Sequence, residues 1–205
     1  MAWVVGARVC DVACGEGYVS RFLAQAGAAE VVGVDISAGL IETAEQRNEL
    51  ENVSFGVDDA HRLGTLADGS FDIVVSQMAM MDIADHRAMF GAVRRVLRRG
   101  GVFVFSLLHP CFEGPYRSGE NSYIEDADGN FTAVVVRRYG SEGFWQSGGD
   151  GVRGHMGAYH RMVSTYVNDL ITAGFRLERL EEPLVEGGGL MAMVPKVMIV
   201  VGMAE

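Results

Sequence analysis

Residues 11–17, Asp-Val-Ala-Cys-Gly-Glu-Gly, follow an apolar run and precede a helical pattern, and the next apolar run ends on Asp35. A strand that turns on glycines into a helix is how an open α/β sheet brings bare backbone up to a nucleotide-like ligand. A dinucleotide fingerprint would read G-x-G-x-x-G and set pyrophosphate against free helix N–H groups. Here Ser20 takes the third glycine's place, and Asp11 puts a carboxylate where a phosphate would be repelled. Both departures point to a ligand that carries positive charge and no phosphate.

Apolar runs bounded by turn residues alternate with helical periodicity, the sign of a parallel sheet with helices on both faces. The pattern predicts strands near 7–12, 30–35, 53–57, 71–76 and 101–108, with helices near 17–27, 38–50 and 86–99. Asp85 is placed to cap the third helix, Met89, Val93, Val96 and Leu97 repeat at helical spacing, and Gly100 stops it. Ser37 is placed to cap the second. From His109 to Met162 periodicity is lost, with one candidate strand at 132–139; Phe112, Tyr116, Tyr123, Phe131, Phe144 and Trp145 argue against disorder. This stretch is read as a cap over the site. A helix near 164–173 and strands at 175–181 and 195–202 close the chain.

Asp11-x-x-x-Gly15-x-Gly17 resembles motif I of the class I S-adenosylmethionine (SAM)-dependent methyltransferases, and Val31-Val-Gly-Val-Asp35-Ile-Ser resembles motif II. Asp58-Asp59-Ala60, Phe71-Asp-Ile-Val-Val-Ser76 and Val96-Leu-Arg-Arg-Gly100-Gly101 resemble the family's adenine-contacting segment, its fourth strand and the turn into its fifth. The matches run in the family's order over residues 7–108. The resemblance implies one domain over 1–205: a Rossmann-like, mostly parallel seven-stranded sheet with helices on both faces and an antiparallel C-terminal strand, plus a cap insertion at 109–162. It implies a SAM-dependent methyltransferase of the small-molecule type, with S-adenosyl-L-methionine as cofactor and S-adenosyl-L-homocysteine as product. Only about six residues precede the first strand, where N-terminal helices usually fold over the cofactor. Either the insertion supplies the whole lid or the reading begins late.

At 205 residues the chain suits a single core. Its net charge of −10 and its single lysine, Lys196, argue against a nucleic-acid partner, which calls for a basic stripe. Arg94, Arg95, Arg98 and Arg99 are read as complementing one helix C-terminus. The three cysteines form no C-x-x-C pair, so neither a disulfide framework nor a metal site is expected; Cys10 and Cys14 are read as small hydrophobes. No signal sequence or membrane-length apolar run is evident, which points to a cytoplasmic protein, monomer or homodimer, acting on a small-molecule acceptor.

For the cofactor, Gly15 and Gly17 permit close backbone approach. By resemblance, Asp11 faces the methionine ammonium, Ala13 belongs to the same loop, and Asp35 accepts from the ribose hydroxyls with Ile36 beside it. Asp59 reaches the adenine amino group and Ala60 donates its N–H, with Asp58 competing for the first role. Gln77 and Met78 flank the cofactor, while Met78, Met80 and Met81 are equally readable as core. Asp82 and Tyr159 are substrate candidates, and His86 is expected on solvent-facing helix surface. His109 and His160 border the insertion, and one of them is expected to point into the pocket as a general base. The expected reaction is methyl transfer to an oxygen, nitrogen or carbon nucleophile. The alternatives are a SAM-binding protein without catalysis and a nucleotide-linked oxidoreductase on the same fold.

Overall fold

The structure, a computed structural model, describes residues 3–113, 123–147, 150–184 and 194–205. The first half alternates strand and helix: β1 (Arg8–Val12), α1 (Tyr18–Gln25), β2 (Glu30–Asp35), α2 (Ala38–Gln46), β3 (Val53–Val57), β4 (Phe71–Gln77), α3 (His86–Val96) and β5 (Leu97–Leu108). Short pieces follow: β6 (Tyr123–Glu125), β7 (Phe131–Val134), β8 (Gly143–Trp145), α4 (Val152–His155) and β9 (Ala158–His160). The chain ends with α5 (Val163–Thr172), β10 (Phe175–Glu181) and β11 (Val197–Ala204).

Seven strands form one sheet in the order β10-β11-β5-β4-β1-β2-β3, with β11 antiparallel to both its neighbours. Alternation along β1 explains the layering. Val9 faces Leu23 and Ala24 of α1, whereas Cys10 and Val12 face the larger core that α3 and α5 close with Phe90, Val93, Tyr166 and Leu170. Phe103, Phe105 and Phe175 stack in that core with ring centroids 5.1–5.8 Å apart. Truncating one of these rings to alanine costs about 3–5 kcal/mol.

The caps fall where the sequence puts them. Ser37 Oγ accepts from Leu40 N at 3.4 Å, and Asp85 Oδ1 accepts from Ala88 N at 3.0 Å. The end of α3 differs. The helix stops at Val96, and Leu97 turns extended (φ −76°, ψ 136°) to pair with Phe71 as the first residue of β5. Strand pairing wins because Leu97 buries against the sheet and Arg98 reaches the Asp72 carboxylate. Only Arg94 and Arg95 therefore lie in the helix's last turn. Arg95 binds the carbonyls of Arg62, Leu63 and Leu66, so it staples a loop as well as facing the helix end. The strand expected over 132–139 is shorter, ending at Val134.

The sequential order reverses between β1 and β4, which lie side by side. In open α/β sheets such a switch point, at the strands' carboxyl ends, is where ligands bind. Asp11, Asp35 and Gln77 all lie at or near those ends.

Candidate functional site

After β1 the chain adopts left-handed backbone at Ala13 (φ 57°), Gly15 (φ 56°) and Gly17 (φ 77°). The turn is held by Cys14 N donating to Val34 O at 3.0 Å and Gly15 N donating to Asp35 Oδ2 at 2.9 Å. The two glycines answer different demands. A Cβ on Gly17 would lie 2.4 Å from the Phe55 ring, so packing forbids a side chain there. A Cβ on Gly15 would meet nothing within 4 Å, so the space beside it is open to a ligand.

Asp11 lies beneath this turn, 1% exposed, and accepts from Ser20 Oγ at 2.6 Å. Burial pushes its carboxyl up to about 7, against the pull of the Ser20 hydrogen bonds. The serine in the third glycine's place thus exists to satisfy the buried acid. Asp35 is held at both oxygens, Oδ2 by Gly15 N and Oδ1 by Ser37 N at 2.9 Å. Each oxygen keeps a second lone pair for a hydroxyl. Next to it Ile36 is 71% exposed, and Val57, the register partner of Asp35 on β3, is exposed as well. These apolar groups offer a face for a flat heterocycle.

The turn after β3 separates the two neighbouring acids. Asp58 accepts from the N–H groups of Asp59, Gly64 and Thr65 and from the Thr65 hydroxyl. Burial works to raise its pKa, but these bonds outweigh it and hold the carboxyl below its ordinary value. Asp58 therefore builds the turn. Asp59 takes His61 N (2.9 Å) and His61 Nδ1 (2.6 Å) on Oδ1 alone, leaving Oδ2 without a hydrogen bond among the described residues. From Asp58 to Thr65 every other backbone N–H is donated, while that of Ala60 finds no acceptor among the described residues. An open acceptor beside an open donor matches the amino group and N1 edge of adenine.

On the other side of the switch point Gln77 is exposed, and Met78 is left-handed (φ 55°) with its N–H donated to Ser106 O at 2.9 Å. Met80 and Met81 are core. The end of the insertion is fastened to the loop after β4. Tyr159 N donates to Met81 O at 2.7 Å, Arg153 pairs with Asp82, and the buried Arg161 donates to the carbonyls of Ile83 (2.8 Å) and Ala84 (2.7 Å). Asp82 thus serves the insertion instead of standing free for a substrate. Under it, Met81, Leu107, Trp145, Tyr159, Arg161 and Tyr166 surround a void of about 20 Å³, little more than one water needs. Phe144 lies outside, Phe112 stacks on His109, Tyr116 lies outside the described residues, and Tyr123 has no described side chain.

Of the two candidate bases, His109 has both ring nitrogens bound, and His160 lines the small void with its Nε2 bound. His109 is 1% exposed; its Nδ1 accepts from Cys111 N at 3.1 Å and its Nε2 lies 2.6 Å from Glu182 Oε1. No nitrogen is left to take a proton from a substrate. His160 is 4% exposed and its Nε2 donates to Tyr139 O at 2.8 Å. The His109 ring ties the start of the insertion to Glu182 just past β10, whereas the His160 ring bonds within the insertion itself. His86 is also corrected: it is buried between Phe90 and Tyr166 and bonds Asp169 at 2.7 Å. Burial lowers its pKa, against the hydrogen bond the ring donates to Asp169.

Sequence reasoning missed His61, Arg153, Arg161 and Glu182. Only His61 carried a local signal, lying two residues beyond an acid that starts a turn. A larger cavity of about 600 Å³ lies elsewhere, lined by Trp3, Ile73, Arg98, Val102, Val201 and Met203 at the amino ends of β4 and β5. That is the wrong edge of the sheet for the ligand.

A family model described as a methyltransferase domain matches residues 10–105. A demethylmenaquinone methyltransferase of Renibacterium salmoninarum is 34% identical over 122 residues, 59% of this chain and 49% of that protein. A ubiquinone biosynthesis O-methyltransferase of Methylococcus capsulatus is 32% identical over 108 residues, 52% of this chain and 45% of that protein. The chain spans about half the length of these curated relatives. The crystal structure of a SAM-dependent methyltransferase from Mesorhizobium loti is 29% identical, with a TM-score of 0.85 over 99% of this chain and 93% of that one.

Proposed function

Because the chain belongs to the class I SAM-dependent methyltransferases, we propose that it moves a methyl group from SAM to an oxygen, nitrogen or carbon nucleophile of a small molecule. The carrying observation is the pair of open groups at the adenine turn, Asp59 Oδ2 and Ala60 N–H, next to an Asp35 whose carboxylate is already aimed by Gly15 and Ser37. The clear space beside Gly15 fits the same ligand. Bound SAM supplies an electrophilic methyl group on a sulfonium that leaves neutral, so no acid is called for.

In this reading Asp35 holds the ribose, Ile36 and Val57 face the adenine, and buried Asp11 contributes negative potential under the methionine ammonium. Gln77 and Met78 border the methyl group on the acceptor side. Alignment of nucleophile and methyl carries the rate, drawing on the roughly 7–11 kcal/mol that ideal positioning can supply. With His109 and His160 committed to Cys111, Glu182 and Tyr139, the acceptor enters already deprotonated or as a neutral amine.

The 109–162 stretch acts as the cap, since its tail is fastened to the loop after β4. Relatives named for ubiquinone biosynthesis and for demethylmenaquinone support a small-molecule acceptor. Incubation with methyl-labelled SAM and a panel of phenols, amines and carbon acids tests the reading. Labelled product from a small acceptor is expected. Binding of SAM with no transfer to any acceptor would favour a binding protein instead.

A further inference from the structure

Beside the turn after β3 stands a side chain that none of the cofactor motifs includes, His61. His61 Nε2 accepts the backbone N–H of Asp85 at 3.2 Å, so this nitrogen carries no proton. The ring proton therefore sits on Nδ1, where it is donated to Asp59 Oδ1 at 2.6 Å. His61 N donates to the same oxygen at 2.9 Å. Two donors on one oxygen fix the carboxylate's rotation and leave Oδ2 as the outward acceptor. Asp85 in turn caps α3 through Ala88 N at 3.0 Å. The ring thus braces the turn after β3 against the start of a helix, across 24 residues of chain.

We propose that His61 is a positioning residue for the cofactor: its Nδ1–H holds Asp59 in the one orientation that accepts the adenine amino group while Ala60 N–H meets N1. The inference rests on the site reading above and adds to it the source of selectivity for adenine over a 6-oxopurine. Hypoxanthine presents an acceptor where adenine presents its amino donor. A fixed Asp59 carboxylate repels it, whereas a loose one can turn away.

Calorimetric titration with S-adenosylhomocysteine and with S-inosylhomocysteine tests this. The wild-type protein should prefer the adenosyl compound. His61→Leu should weaken its binding by about tenfold, the scale of a charge-assisted hydrogen bond, while leaving the inosyl compound unchanged or better bound. His61→Asn, whose amide can donate from nearly the same place, should keep most of the preference. Equal loss for both compounds in His61→Leu, or no loss for either, overturns the proposal. Asp59→Ala separates the two levels. If it retains full adenine preference, the adenine assignment falls and His61's role with it; if it loses the preference while His61→Leu does not, only the role of His61 falls. Imidazole ¹⁵N spectra of the unaltered protein add a check free of folding effects: the Nδ1–H tautomer is expected, and Nε2–H overturns the proposal.

Discussion

Asp11 and Asp35 end neighbouring strands, one sealed under the glycine turn and the other held at its rim. For Asp11 the sign of the pH effect follows from its shift. An unfolded aspartate ionises near its ordinary 3.8, whereas burial lifts the folded group to about 7. Between those values the native state keeps a proton the unfolded chain has lost, so stability falls as pH rises, by up to about 1.4 kcal/mol per unit. Above about pH 7 the loss is complete, on the order of 4 kcal/mol. Asp11→Asn keeps an acceptor for Ser20 and removes the charge, so it should stabilise the apo protein much more at pH 8 than at pH 4. Urea unfolding at the two pH values checks this, and an equal change at both would contradict it. Asp11 and Asp35 were legible in the sequence because each sits at a strand end beside turn residues. The base was not, because a histidine's sequence position says nothing of which carbonyl or carboxylate claims its ring.

Among the elements, the strands and helices of the first half follow from periodicity and caps, and most of their bounds agree within a few residues. The exception, Leu97–Arg99, carries a helical pattern but pairs with Phe71 and Asp72, partners more than two dozen residues away that no local window contains. The insertion's attachment is hidden for the same reason. Arg153 reaches Asp82 and Gly157 O, and Arg161 reaches carbonyls after β4, contacts that composition does not signal. Removing the first of these should loosen the cap alone. The Arg153–Asp82 pair is partly exposed and contributes about 1 kcal/mol. Arg153→Ala should therefore speed amide exchange at Tyr159 about fivefold while leaving β1 and β2 unchanged. Unaltered exchange at Tyr159 would show that the Arg153–Asp82 pair does not hold the insertion's tail.

At the scale of the molecule, the sheet order places one switch point between β1 and β4, and the glycine turn, Asp35 and the adenine turn all open beside it. The acidic balance of −10 is compatible with a cationic ligand. A ligand bound only by the folded state stabilises it by about 2.7 kcal/mol at a hundred times its dissociation constant, so saturating SAM should raise the unfolding midpoint. The most direct test is calorimetric titration of S-adenosylhomocysteine into the intact protein and into Asp35→Ala. Binding at about one site per chain is expected, weakened roughly ten- to a hundredfold by loss of a charged acceptor worth about 1.5–3 kcal/mol. Absence of binding to the intact protein, or the same affinity in Asp35→Ala, would contradict it.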